Sequence, residues 1–358
     1  MIEYKKGNLL EAKVEALVNT VNCIGIMGKG IALQFKRAYP DNFKAYEKAC
    51  RANLVQIGKI FVVEVGSLFQ TNPRYIINFP TKNHWKGKSR LEDIESGLED
   101  LVERVKYLEI KSMAVPPLGC GNGGLDWEEV KPLMKKAFAN LSDINIIIYE
   151  PSGAPTPESM KIATQKPGMT LGRALLIRLL ELYKIPDYKL TSLEIQKLAY
   201  FLQASGEPLK LRYVKEKYGP YADNLRHVLQ HLEGHYTRGY GDGTKSAEIY
   251  LLPGAVEEAS TVIENMPESK KRLERVANLI EGFETPYGME LLATVHWVAT
   301  KETPEAKNNP DKAIEKVHEW NEHKREFRQE HIKKAWQQLQ EVNWLENEEK
   351  LPELTLAL

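Results

Sequence analysis

The chain, 358 residues long, is poor in cysteine. Its three, Cys23, Cys50 and Cys120, are too few and too scattered for a disulfide framework or a zinc site. It also lacks net charge, with 49 Lys and Arg against 49 Asp and Glu. A balanced chain is no polybasic module with general affinity for duplex DNA, so any nucleic-acid contact has to come from a local patch. No apolar run approaches membrane-spanning length. The opening residues Met1, Ile2, Glu3, Tyr4 and Lys5 hold no apolar signal segment, which points to a cytoplasmic protein with no membrane partner. The length calls for two domains.

What the chain does have is glycine concentrated in two loops. The first follows the apolar run Ala16, Leu17 and Val18 and carries Gly25, Gly28 and Gly30 before a helical segment that reaches Phe35. Strand, glycine loop and helix together let bare backbone N–H groups and a helix N-terminus hold a pyrophosphate. Two common loop types are excluded by spacing. A Walker A loop needs four residues between its glycines and Ser or Thr after its Lys, whereas Gly30 follows Lys29 here. The dinucleotide fingerprint fails because Ile31, Ala32 and Leu33 follow Gly30. The second loop is Leu118, Gly119, Cys120, Gly121, Asn122, Gly123 and Gly124, also after an apolar strand.

This pair of loops, with Asn19 and Asn22 bracketing the end of the first strand, resembles the macrodomain family, whose members bind ADP-ribose. The resemblance implies ADP-ribose contacts from Asn8, Leu9, Asn19, Asn22, Gly28, Lys29, Gly30, Ile31 and the loop from Leu118 to Gly124. Asn22 and the two loops would hold the distal ribose and diphosphate, and Asn8 would meet adenine. Macrodomains usually carry Asp where this chain has Asn8, and an amide oxygen still accepts from the adenine amino group. Cys120 sits in a glycine loop without a partner base at readable spacing, so packing explains it better than nucleophilic chemistry.

Around the loops, strand and helix patterns alternate. Strands are expected at 1–4, 15–19, 59–65, 75–79, 112–115 and 144–149, and helices at 30–37, 42–51, 92–107 and 127–141. In the longest helix Ile94, Leu98, Leu101, Val105 and Leu108 share one stripe. Pro132 falls in the early turns of the last helix, where it is tolerated. The expected fold is α/β: a three-layer domain over 1–155, a mixed sheet between helices, with ligands at the carboxyl ends of the strands.

Between the glycine loops runs Asn78, Phe79, Pro80, Thr81, Lys82, Asn83, His84, Trp85, Lys86, Gly87, Lys88, Ser89 and Arg90. From Lys82 onward the stretch has four Lys or Arg, one His, one Trp and no acid. In isolation it would read as a solvated loop. Because it leaves a strand whose carboxyl end should face the cleft, it is read as a surface for single-stranded nucleic acid, with His84, Trp85, Lys86, Lys88 and Arg90 as contacts. Asn78 to Lys82, taken with Pro116, Pro117 and the second loop through Asp126 and Trp127, is similar to the DarG-type antitoxins, macrodomains that remove ADP-ribose from thymidine in DNA. That resemblance implies Lys82 as the catalytic residue. A lysine amine is nucleophilic once deprotonated, and burial or a neighbouring cation lowers its pKa. Relatives that hydrolyse ADP-ribosyl glutamate pair the lysine with an aspartate in the second loop. This chain has Gly123 there, and Asp126 comes three residues later.

Pro151, Gly153, Pro155, Pro157 and Pro167 mark a linker or surface strap, taken as 156–169. From 170 to 358 the chain is expected to be a mainly helical domain. Leu176, Leu179, Leu180 and Tyr183 mark a helix stopped by Pro186. Ser192 can cap the next, over 193–203. Further helical patterns occur at Leu273, Val276 and Ile280, at 289–300, after Asn309-Pro310, and at Ile332, Ala335, Trp336 and Leu339, with a strand at 246–252. Residues 190–202 with Lys217, Tyr218, Gly219, Pro220 and Tyr221 resemble the Panacea antitoxin domain, which implies a toxin-binding module without catalysis. His227, His231 and His235, four apart, read as surface or partner-facing residues; no metal and no cofactor is expected.

The combined expectation is an antitoxin that hydrolyses ADP-ribose from thymidine in single-stranded DNA, with ADP-ribose as product, and binds a DarT-like DNA ADP-ribosyltransferase. The alternatives are a hydrolase of ADP-ribosyl glutamate on protein, an ADP-ribose reader without turnover, and a pure toxin-neutralising protein.

Overall fold

The computed structural model describes residues 1–66, 73–183, 188–243 and 246–346. The chain divides into two compact units, one formed by Met1–Lys166 with Gly241–Lys245 and the other by Pro167–Tyr240 with Ser246–Leu358. Residues 156–166 of the expected linker therefore belong to the first unit. Met160 is buried and the N–H of Ala163 donates to the Arg37 carbonyl at 2.8 Å, so this stretch is a strap along that unit.

The first unit runs β1 (Ile2–Lys5), β2 (Ala16–Asn22), α1 (Gly30–Ala38), α2 (Pro40–Arg51), β3 (Phe61–Glu64), β4 (Tyr75–Lys82), α3 (Leu91–Tyr107), β5 (Ser112–Val115), α4 (Trp127–Phe138) and β6 (Asn145–Tyr149). The strand order is β1-β6-β5-β2-β4-β3. All neighbours are parallel except β3, which is antiparallel to β4. Strand alternation sorts the faces. Ala16 and Val18 of β2 pack with Ile94, Leu98 and Leu101 of α3 and Val130 and Met134 of α4. Leu17 points the other way, toward Phe35 of α1. A Cβ at Gly97 would lie 2.4 Å from Cζ of Phe79, so α3 approaches the sheet as closely as it does only with glycine there.

Two strands outrun their expected ends: β2 continues to Asn22 rather than Asn19, and β4 to Lys82 rather than Phe79. Asn, Pro and Lys are poor strand formers and hid the extension in the sequence. The two strands carry one another, because their parallel ladder continues to the pair Asn22 and Lys82 across a register shift after Val21.

The second unit is mainly helical. It comprises α5 (Leu171–Leu182), α6 (Ser192–Ala204), the hairpin β7 (Val214–Glu216) and β8 (Gly219–Tyr221), α7 (Leu225–Leu232), β9 (Thr237–Arg238), β10 (Tyr250–Leu251), α8 (Ala255–Ile263), α9 (Pro267–Ile280), α10 (Pro286–Trp297), α11 (Pro310–Glu319), α12 (Glu322–Arg325) and α13 (Gln329–Glu341). Its helices share one core, with Leu179, Leu198, Phe201, Val276, Leu292 and Leu339 among the buried members. The strand expected at 246–252 shrinks to β10, paired antiparallel with β9. Pro186, the expected helix stop, lies outside the described residues. Among the described residues no helix is long and apolar enough to cross a membrane.

The N-cap of α6 is Thr191, not Ser192. The Thr191 hydroxyl accepts from the Glu194 N–H at 3.4 Å, and the Glu194 carboxylate accepts from the Thr191 N–H at 2.8 Å, a reciprocal capping box. The box starts one residue early because Glu194, fully buried, is also held by the Tyr188 hydroxyl at 2.7 Å. Thr191→Ala is expected to cost about 1 kcal/mol and Ser192→Ala less than about 0.5 kcal/mol, measured as denaturation midpoints of the full chain.

Candidate active site

Strands β4, β2 and β5 lie side by side, and the chain leaves each at the same edge of the sheet. The first glycine loop follows β2, the basic loop follows β4 and the second glycine loop follows β5. Residues far apart in sequence therefore meet at the carboxyl edge, where open α/β sheets hold their ligands.

Lys82 is the last residue of β4. Its Nζ donates to the Asn122 carbonyl of the second glycine loop at 2.8 Å. The side chain is half-buried, and desolvation holds its pKa below the usual lysine value. Among the described residues no carboxylate forms an ion pair with it. Asn22 stands opposite Lys82 in the ladder and shapes the first loop from within. Its Nδ2 donates to the Ile26 carbonyl at 2.6 Å, and its Oδ1 accepts the Ile24 N–H at 3.0 Å. The buried Tyr46 hydroxyl donates to the Asn22 carbonyl at 2.7 Å. Sequence reading did not single out Tyr46; a lone Tyr on an amphipathic helix gives no sign that it braces a loop.

Asn19 does not line the cleft. It is fully buried, and its Nδ2 donates to Asn78 Oδ1 at 3.1 Å, while Asn78 Nδ2 donates to Asn42 Oδ1 at 2.7 Å. These three amides form an internal brace between β2, β4 and α2. Gly28, Lys29, Gly30 and Ile31 lead into α1, where Lys29 takes the N-cap position without a side-chain bond. The Gly30 N–H, expected to face a diphosphate, donates instead to the Asp242 carbonyl at 2.9 Å. Asp242 also accepts from Gln34 Nε2 at 2.8 Å through its carboxylate. No local pattern signals this partner, because it lies more than two hundred positions along the chain.

In the second loop Leu118 is fully buried and Gly119 and Gly124 have φ of +73° and +80°, conformations that suit glycine. Gly121 faces open space. Gly123 is tight: a Cβ there would lie 2.3 Å from Ser89 Oγ and 2.4 Å from the Gly119 carbonyl oxygen. The aspartate that glutamate-directed relatives are expected to carry has no room at this position. Cys120 is a poor nucleophile, its thiol pushed up to about 11 chiefly by burial and then by the charge of Asp126. Asp126 caps α4 by accepting the Glu128 N–H at 3.0 Å.

After β1, Asn8 caps a short 3-10 turn. Its Oδ1 accepts the Leu10 N–H at 3.1 Å and its Nδ2 donates to Glu11 Oε1 at 3.0 Å. The Leu9 side chain is buried, which leaves only its backbone for a ligand.

The basic loop is tied to the second glycine loop by the Ser89 N–H, which donates to the Gly123 carbonyl at 3.0 Å. His84, Trp85, Lys86, Lys88 and Arg90 are all exposed. The His84 and Trp85 rings lie 5.6 Å apart, and Lys86 Nζ sits 5.0 Å from the Trp85 ring centre. The expected histidine row in the second unit breaks up. His227 and His231 lie on α7, but that helix stops at Leu232 and His235 falls beyond it. Among the described residues no three His, Cys, Asp or Glu side chains gather as metal ligands.

The Macro domain family matches residues 18–134. A Thermus aquaticus protein named DNA ADP-ribosyl glycohydrolase is 47% identical over 98% of this chain and 98% of its own length. A Thermosipho africanus protein named as a DNA ADP-ribosyl transferase–DNA ADP-ribosyl glycohydrolase fusion is 36% identical over 43% of this chain and 42% of its own. Among solved structures, the macrodomain of Mycobacterium tuberculosis DarG is 58% identical, with a TM-score of 0.41 over 42% of this chain and 99% of that one. The chain belongs to the DNA ADP-ribosyl glycohydrolase family, with a macrodomain as its first unit.

Proposed function

We propose that the protein is the antitoxin of a toxin–antitoxin pair acting in the cytoplasm. The first unit cleaves the glycosidic bond between ADP-ribose and thymine in single-stranded DNA, and the second unit binds the DNA ADP-ribosyltransferase that installs the mark. The observation that carries the catalytic half is Lys82: a desolvated amine at the junction of both glycine loops, with no carboxylate paired to it among the described residues. The DNA ADP-ribosyl glycohydrolase activity for which the Thermus aquaticus relative is named supports the reaction, and the transferase–glycohydrolase fusion for which the Thermosipho africanus relative is named supports the pairing.

In this reading Asn8 receives the adenine amino group on the lone pair its cap leaves over. Backbone N–H groups of the two loops hold the diphosphate. Asn22 sets the first loop against the distal ribose. Neutral Lys82 attacks the anomeric carbon, directly or after ring opening to an imine. The carbon–nitrogen bond breaks, the thymine nitrogen takes a proton, and water then releases ADP-ribose. His84 and Trp85 offer ring faces to flanking bases, and Lys86, Lys88 and Arg90 neutralise phosphates. A glutamate-directed hydrolase is the weaker reading, because the packing around Gly123 leaves no room for the aspartate it would use.

The test is release of ADP-ribose from a thymidine-ADP-ribosylated oligonucleotide. Lys82→Ala should lose roughly a thousandfold or more in turnover while keeping ADP-ribose affinity. Lys82→Arg should fail as well, since guanidinium stays protonated. Full activity in Lys82→Arg would reduce lysine to a charge, and unchanged release by Lys82→Ala would remove it from the mechanism. Because the neutral amine reacts, the rate should rise with pH through a midpoint below the ordinary lysine value. Asp126→Ala should leave turnover within about threefold and instead cost about 1 kcal/mol of stability, since this carboxylate caps a helix.

Gly121→Glu supplies an independent check on the ligand. Its side chain meets only open space, so folding should be intact, while a carboxylate in the phosphate loop should abolish ADP-ribose binding by calorimetry. The full-length Lys82→Ala protein should still protect cells from the transferase by binding it. Loss of protection in that variant would place neutralisation in the macrodomain's chemistry.

A further inference from the structure

Ile24 and Ile26, on either side of Gly25 in the first glycine loop, are 44% and 40% exposed, while Gly25 and Met27 are buried. Gly25 lies on α2, where an added Cβ would meet Cys50 Cβ and Glu47 Cγ at 3.5 Å, and Met27 packs with Tyr46, Ala49 and Cys50. The two isoleucines are left facing outward, and neither joins an apolar cluster of the first unit among the described residues. Their backbone is fixed from behind. Asn22 Oδ1 accepts the Ile24 N–H at 3.0 Å and the Ile26 N–H at 3.4 Å, and Asn22 Nδ2 donates to the Ile26 carbonyl at 2.6 Å. One exposed isoleucine calls for no explanation, whereas two on one pinned loop mark a contact surface.

This surface adjoins the reacting lysine. Pairing between β2 and β4 reaches Asn22 and Lys82, and one residue further the Cys23 N–H donates to the Asn83 carbonyl at 3.1 Å. Ile24 follows that bonded pair on one chain segment, and Lys82 precedes it on the other. Under the reading above, Lys82 marks where the link between ADP-ribose and base is cut. ADP-ribose is common to every ADP-ribosylated substrate, so the choice of base has to come from groups that meet the base itself. Thymine differs from uracil only by its C5-methyl group, and proteins read that methyl through apolar contact.

We propose that Ile24 and Ile26 select the base: their side chains cover the ring face and C5-methyl group of the thymine whose link to ADP-ribose is cleaved. The apolar pair takes the methyl group out of water, and it leaves the exocyclic amino groups of other bases without a hydrogen-bond partner there. The hold of Asn22 on the loop keeps both side chains presented before substrate arrives, so little ordering is needed on binding. The inference rests on the glycohydrolase reading of Lys82 and adds what decides the base.

The experiment uses the full chain and a pair of single-stranded oligonucleotides with the same ADP-ribosyl link, on thymine in one and on uracil at the same position in the other. Wild type should cleave the thymine form with a kcat/KM about fourfold higher, the worth of one methyl group removed from water. Ile24→Ser combined with Ile26→Ser should bring that ratio close to unity by raising KM for the thymine form, while ADP-ribose affinity by calorimetry stays within about twofold of wild type. Ile24→Leu combined with Ile26→Leu, which keeps the apolar surface, should keep the ratio. A wild-type ratio near unity, or one that the serine variant leaves unchanged, would overturn the inference and leave the reaction in place. Loss of ADP-ribose affinity in the serine variant would assign the pair to the sugar and overturn the inference as well. A wild-type protein that releases nothing from the thymine oligonucleotide would remove the glycohydrolase reading and the inference with it.

Discussion

Strand β2 is hydrogen-bonded to β4 along one edge and to β5 along the other, and all three run in the same direction. Parallel pairing sends three consecutive loops out at one edge of the sheet. It also places the last residues of β2 and β4, Asn22 and Lys82, side by side. The two glycine loops then need only local shaping: Asn22 and Tyr46 mould the first, and the Ser89 bond to Gly123 anchors the second. Moving the β2–β4 register by one residue would turn these side chains to the opposite face, so the hydrophobic alternation that holds the register also holds the site.

The proposed chemistry depends on what is kept away from Lys82 as much as on what touches it. A neighbouring carboxylate would stabilise the ammonium form, whereas a backbone carbonyl and partial burial orient the amine without restoring the full stability of its charge. Glycine at position 123 serves both ends, since its hydrogen lets the loop close on Ser89 and Gly119 and excludes a side chain that could carry an acid. The exposed His84–Trp85 pair begins two residues after Lys82.

The second unit is held by different means. Its apolar core is continuous, but charged side chains are buried inside it and satisfied by hydrogen bonds to groups elsewhere in the unit. Lys324, fully buried, bonds the Glu290 carboxylate, which also takes His323 Nε2 at 2.9 Å. Lys197 donates to the Pro220 carbonyl at 2.7 Å. Such groups are costly to bury and cost more still when one partner is removed, so they tie α6, α10 and α12 to specific positions rather than adding much net stability.

Strand and helix periodicity and two glycine clusters were enough to read the α/β order, the six strands and four α-helices described for the first unit and the basic loop from sequence, because those signals are local. The glycine positions could be named in the same way, whereas the roles expected of Lys82 and Asn22 came from the family resemblance. Three matters were decided only by packing. Asn19 carries the same side chain as Asn22, yet it is fully buried and pairs with Asn78, whereas Asn22, beyond the register shift, bonds the backbone of the first glycine loop. The Gly30 N–H was read as a phosphate donor, but the backbone of Asp242 occupies it, a partner no neighbouring residue announces. The cap of α6 moved from Ser192 to Thr191 because buried Glu194 selects the start of the helix. Hydrophobic period and glycine geometry are properties of a short stretch of chain. The partner of a buried polar group is set by the whole fold, since desolvation obliges it to find whichever donor or acceptor the tertiary structure brings within reach.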